Sequence, residues 1–346
     1  MKILVIDYLS YNGHRNFNRI HLDVFLKLGH NLTLVGKTGH FDEYKDNPKV
    51  SIIYPSILDN VKPEDSHFKN ISNLLEIKKQ VKVSDYDIIL FPTYDVASLF
   101  VFRTKMPTYV IDHNTVGMLN NSLFGRIRLF LTKTLPSNYY HICLNKSMET
   151  RLRELDRKHK VFHIPHGICP PAMNLAKPDF LNENQHFIFC PINRNYDSDF
   201  VQSIFESSRL GEYLESNNMV LLVKDGIPCN CQNKNIIRIE NGLSKPQYDY
   251  LIQKAKAIIL PYGQRFVYRC SGIFFECISR KTPVIATDLE EFRQYKENTD
   301  LYLFNNVAEL LDKITLCIHN GSREFNNDVF NPRQYWEKTL AASISL

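Results

Sequence analysis

The sequence has no run of about 20 apolar residues, the length a helix needs to cross a bilayer. It has no G-x-G-x-x-G string after its first apolar run either. The loop YLSYNGHRN, Tyr8 to Asn16, carries one glycine, which argues against a nicotinamide dehydrogenase. Charge of one sign is nowhere concentrated. A net charge of +5 and a pI near 8.6 exclude the dense basic stripe of a nucleic-acid binder, but suit an anionic small ligand or an anionic membrane surface. Cys229 and Cys231 in PCNCQN are closely spaced, yet no second pair or Cys/His cluster at ligand spacing completes a zinc site. No metal and no other cofactor is expected. The eight cysteines lie mostly inside apolar segments and no leader is read ahead of them, so a reduced, cytoplasmic protein is expected.

What is present is alternation. KILVID reads as a buried strand. NRIHLDVFLKLGHN then puts Ile20, Val24, Phe25 and Leu28 on one helical face that stops at Gly29. Strands NLTLVG, VSIIY, DIILF, TYVID, HICLN and KVFHIP follow, with helices between them that include one over 70–83 and one over 123–134. After the proline-rich loop GICPPAMNLAKPDFLNENQ a second alternation begins: HFIFC, MVLLVK, NIIRI, a helix over 245–256, AIILP, PVIAT, LYLF and a helix over 307–317. Strand alternating with helix implies a parallel sheet covered on both faces. The fold class expected is α/β, two tandem Rossmann-like doubly wound domains over 1–165 and 166–328. The last segment, 329–346, has helical spacing at Tyr335, Trp336 and Leu340 and is expected to cross back onto the first domain.

One carboxylate stands out. Glu276 lies among Ile273, Phe274, Phe275, Cys277 and Ile278 in RCSGIFFECISRKTPVIAT, just after a turn that opens a helix. Ser271 suits the cap of that helix, and Gly272 lets a ligand approach the backbone. Free N–H groups at a helix N-terminus beyond a strand's carboxyl end form a phosphate cradle, to which Arg269 adds a guanidinium fork. Glu276 follows Gly272 by one helical turn, about 6 Å along the axis, roughly the reach from a phosphate to its ribose. A buried ion pair with a neighbouring Lys or Arg is the alternative use for such a carboxylate.

FFECISRKTPVIATDLEEF resembles the signature of nucleotide-sugar glycosyltransferases of the two-domain GT-B fold, in particular the retaining family 4 type, whose usual string is E-A-x-x-x-G-x-P-V-I-A-T. HIPHGI, His163 to Ile168, resembles that family's I-P-N-G-V, and AKAIILPYGQ its A-D-V-x-x-x-P-S strand end. The resemblance implies that Glu276, the second acid of an E-x7-E motif, binds the ribose of the donor nucleotide, with Ser271, Gly272 and Ile273 beside it. The first acid of that motif falls on Tyr268, and Lys281 replaces the usual glycine before Thr-Pro. YRCSG looks more like the Y-R-x-S-G variant of some polysaccharide-building members.

Further groups follow from the same resemblance. The family's diphosphate-binding Arg would fall on Arg194 in CPINRNYD, and its Lys on Lys224 at the end of MVLLVK; solvated strand ends are the plain alternative. Asp112, His113 and Asn114 stand at the carboxyl end of TYVID, and the resemblance implies His113 as a donor-sugar contact. Asn12, Gly13 and His14 follow the first strand and are expected near acceptor and phosphate. LFGRIRLFLTKTLP sets Leu123, Phe124, Ile127, Phe130 and Leu131 among Arg126, Arg128 and Lys133. That pattern fits a helix buried on one side with a basic face outward, or a helix lying on an anionic membrane.

The expectation is a glycosyltransferase, hexosyl-transferring and retaining, with the nucleotide-sugar donor on the second domain and a glycan or lipid-linked acceptor on the first. Arg194, Lys224, Arg269 and His113 would be its catalytic groups. It would act in surface polysaccharide synthesis, in the cytoplasm or at the inner face of the cell membrane. A nucleotide-sugar epimerase of the same fold and a non-catalytic sugar-nucleotide binder are the alternatives, the latter prompted by Tyr268.

Overall fold

A computed structural model of the chain describes residues 1–10, 14–62, 65–191, 196–224, 233–240, 242–320 and 327–344. The chain divides into two compact units. One comprises Met1–Gly167, Tyr268–Cys270 and Phe330–Leu346, and the other Ile168–Val267 and Ser271–Val329.

The first unit runs β1 (Lys2–Ile6), α1 (Arg15–Lys27), β2 (Asn31–Val35), β3 (Val50–Ile53), α2 (His67–Gln80), β4 (Ile88–Phe91), α3 (Val96–Val101), β5 (Thr108–Asp112), α4 (Thr115–Met118), α5 (Leu123–Thr134), β6 (Tyr139–Cys143), α6 (Lys146–Leu155) and β7 (Lys160–His163). Its seven strands are parallel in the order β3-β2-β1-β4-β5-β6-β7. Successive residues of a strand point to opposite faces, and β1 shows the consequence. Ile3 and Val5 join an apolar cluster with Leu22 of α1 and Met148 of α6, whereas Leu4 and Ile6 join another with Leu74 and Ile77 of α2 and Leu99 of α3. Both faces are therefore covered, which is why the strands read as continuous apolar runs.

The second unit runs β8 (His186–Cys190), α7 (Ser198–Phe205), α8 (Ser208–Ser216), β9 (Met219–Lys224), β10 (Ile236–Ile239), α9 (Lys245–Lys254), β11 (Ile258–Leu260), α10 (Gly272–Ser279), β12 (Val284–Thr287), α11 (Glu290–Arg293), β13 (Leu301–Phe304) and α12 (Val307–Asn320). Its parallel order, β10-β9-β8-β11-β12-β13, reverses direction between β8 and β11. Such a switch point is where open α/β sheets bind ligands.

The last helix, α13 (Arg333–Ile344), belongs to the first unit. Trp336 is fully buried there against Phe25 and Tyr109, and its indole N–H donates to His21 Nδ1 at 2.9 Å. Gly167, in the HIPHGI segment, has φ +82, and a Cβ there would stand 2.5 Å from Ile20 Cγ2. Both facts demand glycine.

Several element-level expectations need correction. On α1, Ile20 and Leu28 are only partly covered, while the polar Asn18 and His21 are buried because Asp7 and Trp336 supply partners. The second helix starts and stops earlier than expected, since Ser66 caps it by accepting from Lys69 N. On α5 one side is buried, but most of the apolar residues expected on it are not there. Leu123, Phe124, Ile127 and Phe130 are 71, 70, 47 and 64 % exposed, and the residues that face inward are Gly125 and Thr132, with Leu129 and Leu131 partly buried against the two apolar clusters.

Candidate functional site

In the second unit three elements bring one cluster together. Ser271 caps α10: its Oγ accepts from Phe274 N at 3.2 Å and pairs with the Tyr262 hydroxyl at 3.1 Å. The serine hydroxyl thus serves the helix, and the exposed backbone at Gly272 and half-buried Ile273 is what faces outward. Tyr262 is fixed by stacking on Phe266, ring centroids 3.9 Å apart, and on Phe292.

Glu276 lies one turn further along α10, half-buried, and its Oε2 accepts from the Tyr248 hydroxyl of α9 at 3.0 Å. Burial raises its carboxyl above the usual range, although Arg280, Lys245 and Tyr248 pull the other way. The internal ion pair weighed as the alternative forms elsewhere. The Arg280 guanidinium pairs with Asp249 and gives its other N–H group to the Glu276 backbone carbonyl, 2.9 Å. Lys224, last residue of β9, and Lys245, first of α9, each place Nζ 5.6 Å from the Tyr248 ring centroid. Burial, followed by the charge of Glu276, keeps the Tyr248 hydroxyl protonated well beyond its ordinary range. Two ammonium groups, one carboxylate and a helix N-terminus can hold a diphosphate with a sugar beside it.

Tyr268 and Arg269 pack with the first unit. The Arg269 carbonyl accepts from Asn145 Nδ2 at 2.8 Å, and the Arg151 guanidinium lies over the Tyr268 ring. Tyr268 adopts φ +55.

The rest of the first-unit cluster gathers after β1 and β5. His113 stacks on His14, centroids 4.4 Å apart, meets Phe17 edge-on, and bonds the Pro92 carbonyl through Nε2 at 3.0 Å. His14 Nδ1 pairs with Thr93 Oγ1 at 2.8 Å. His166 packs on the same Phe17. Burial and the neighbouring imidazoles hold His113 neutral, well below its ordinary pKa; His14 is also lowered by burial, against the pull of Asp7. Asp112 is buried and takes hydrogen bonds from Tyr94 and His141, so it holds the end of β5, whereas Asn114 is exposed. Asn12, Gly13, Arg194, Cys229 and Cys231 lie outside the described residues.

No family model and no curated protein matches the sequence. Solved structures do. Sucrose-phosphate synthase from Thermosynechococcus elongatus superposes with a TM-score of 0.62 over 99 % of this chain and 99 % of that one, at 14 % identity. HepE of Anabaena, in complex with UDP-glucose, gives 0.61 over 99 % and 100 % at 12 % identity. UDP-GlcNAc 2-epimerase from Neisseria meningitidis, bound to UDP-GlcNAc, gives 0.57 over 99 % and 100 % at 15 % identity. The chain has the GT-B fold.

Within this GT-B chain the residues that sequence reasoning missed are partners rather than signature positions. Tyr248 and Lys245 sit in a polar helix start with no motif. Asp7 sits directly after the first strand, where its position alone was the clue. It is fully buried, accepts from Asn18 Nδ2 and Ser10 N, and pairs with His40 at 2.9 Å. Burial alone would raise its carboxyl, but His40 holds it below the usual range.

Proposed function

We propose that this protein transfers a sugar from a nucleotide-sugar donor to a hydroxyl of a glycan or lipid-linked acceptor. The observation that carries the reading is the grouping of Lys224, Tyr248 and Glu276 beside the N-terminus of α10, at the carboxyl edge of the second sheet. HepE and the Neisseria epimerase, described with UDP-glucose and UDP-GlcNAc, support a nucleotide-sugar ligand for the same fold.

In this reading Glu276 accepts hydrogen bonds from the ribose hydroxyls, and Lys224, Lys245 and the Gly272 and Ile273 N–H groups face the diphosphate. The bond from the anomeric carbon to the diphosphate oxygen breaks with its electron pair, and the acceptor oxygen takes the carbon while its proton leaves. Charge accumulates on the departing diphosphate, so cations and N–H groups bind the transition state more tightly than the ground state. His113, neutral and braced by His14 and Phe17, is the first unit's candidate for the donor sugar. A hexosyl donor, retention of configuration and a lipid-linked acceptor in surface polysaccharide assembly complete the proposal. The exposed apolar and basic side chains of α5 favour attachment to an anionic membrane.

A thermal-shift screen against UDP, GDP, CMP, ADP and dTDP tests the ligand class, because a ligand bound only by the native state raises its stability. The expected result is stabilisation by one nucleoside diphosphate, lost in Glu276→Ala. Release of that diphosphate from its sugar conjugate in the presence of acceptor then reports transfer. Absence of any shift would remove the reading. Conversion of the donor to an epimer without acceptor would favour the epimerase, which shares the donor groups.

A further inference from the structure

We propose that His141, Asp156 and His159 form a binding site for a divalent transition cation of the zinc class, inside the first unit and independent of the nucleotide reading. One potential ligand atom of each lies within 4.8 Å of those of the other two. Three atoms so spaced leave a point no more than roughly 2.8 Å from all of them (4.8 Å divided by √3), against about 2.0–2.2 Å for zinc with nitrogen and oxygen ligands. Small side-chain shifts suffice to close that gap.

The polarity of the two imidazoles points the same way. His141, on β6, is 1 % exposed, and its Nδ1–H donates to the Asp112 carboxylate at 3.0 Å. Its Nε2 is therefore the lone-pair nitrogen, and that atom is buried with no hydrogen-bond partner. An acceptor buried that way is destabilising unless something meets it. His159 lies on the turn between α6 and β7 and is 5 % exposed. Its Nε2 faces the Leu135 and Pro136 carbonyls at 3.0 and 3.2 Å, which only accept, so Nε2 carries a hydrogen. Its Nδ1 meets Asp156 Oδ2 at 2.6 Å. Each histidine thus has one nitrogen tied to a carboxylate or carbonyl outside the trio, which leaves His141 Nε2 and His159 Nδ1 to serve as the ligand atoms, as metal-ligating histidines are generally held.

Two imidazoles and a carboxylate are borderline donors that suit zinc over magnesium or calcium. The hydrogen bond between Asp156 and His159 would open as the cation enters. Such an ion would tie β6 to the α6–β7 connection, a structural role. Cysteine-pair and Cys/His spacing missed the set because helix α6 separates His141 from the other two.

The test uses the full chain, stripped with EDTA, returned to chelator-free buffer and titrated with zinc sulfate by calorimetry, with cobalt(II) as a spectroscopic probe. The expected result is a one-to-one complex at micromolar zinc or below. Cobalt should give the bands of nitrogen and oxygen ligation without thiolate charge transfer, and zinc should raise the thermal midpoint. His141→Gln and Asp112→Asn should each weaken binding about tenfold or more. If His141→Gln does not fold, the wild-type cobalt spectrum decides alone. The proposal is overturned by no one-to-one complex, which would mean that a buried water meets Nε2, by thiolate bands placing the ion on cysteines, or by zinc affinity unchanged in a folded His141→Gln.

Discussion

The Tyr248 hydroxyl, from α9, donates to Glu276 Oε2, on α10, at 3.0 Å. Burial raises the Glu276 carboxyl above its ordinary value of 4.5, and Tyr248 is one of the groups that oppose the rise. Removing the hydroxyl in Tyr248→Phe leaves Arg280 and Lys245 as opposing charges, so the carboxyl moves up further. The form that would accept from ribose hydroxyls is the ionised one. A carboxyl raised further leaves a smaller ionised fraction to meet the ribose, so affinity falls. Calorimetric titration of Tyr248→Phe with the stabilising nucleoside diphosphate should show that loss, and the deficit should widen as pH is lowered. Equal affinity in variant and parent across the pH series would separate this pair from nucleotide binding.

Lys281 stands at φ +56, just past the end of α10. Thr282 N donates to Cys277 O at 3.0 Å and Lys281 N to Ile278 O at 3.1 Å, the two bonds of a Schellman close with Lys281 in the left-handed position. The family that the sequence resembles has glycine at this place, and the backbone explains why. An L-residue there is strained by about 1–2 kcal/mol, of which the greater flexibility of an unfolded glycine returns part. Lys281→Gly should therefore stabilise the second unit by about 0.5–1 kcal/mol, seen as a higher denaturation midpoint in urea at unchanged slope. A lower midpoint would show that the lysine side chain itself holds the turn.

How far the sequence alone reached depended on whether a feature is local. Strands such as MVLLVK and AIILP announce themselves because both faces of each sheet are covered, so no polar residue interrupts them. Ser271 could be read as a cap from three neighbouring residues. The partners of those positions could not. Tyr248 reaches Glu276, and Arg280 reaches Asp249 rather than Glu276, only because α9 packs on α10. The histidines gathered on Phe17 come from α1, after β5 and after β7, and no spacing rule joins them. On α5 the pattern of apolar and basic residues was legible, but the inward side carries Gly125, Leu129, Leu131 and Thr132 rather than the bulkiest apolar groups.

The buried histidines should make the first unit acid-labile. Burial, and then His166, lowers His21 from 6.5 to about 3. Burial likewise brings His163 and His166 to about 4. A folded pKa below the unfolded value means that the unfolded chain binds protons first. Stability from these groups is therefore complete above pH 6.5 and is lost as pH falls towards 4, at roughly 1.4 kcal/mol per pH unit for each histidine kept neutral. His21 adds a structural reason, since protonating Nδ1 would oppose the Trp336 N–H that donates to it. Trp336 is the chain's single tryptophan and is fully buried in this unit, so its fluorescence reports on the unit directly. Emission should shift to the red between pH 6.5 and 4. A spectrum unchanged down to pH 4 would show that the imidazoles are not held neutral.

The exposed side of α5 yields the last prediction. Leu123, Phe124, Ile127 and Phe130 project from a helix that also carries Arg126, Arg128 and Lys133. Apolar rings of that kind enter the headgroup boundary of a bilayer, and each basic residue near an anionic surface adds about 1 kcal/mol. The chain should co-sediment with vesicles containing phosphatidylglycerol and remain in the supernatant with pure phosphatidylcholine. Phe124→Ser with Phe130→Ser should reduce co-sedimentation about tenfold or more, and Arg126→Glu with Arg128→Glu should abolish the preference for anionic lipid. Phe124 and Phe130 are exposed, so their replacement should leave thermal stability within about 0.5 kcal/mol of the parent, which separates loss of membrane contact from loss of fold. Equal sedimentation of parent and variants, or of the parent with both lipids, would show that α5 does not meet the bilayer.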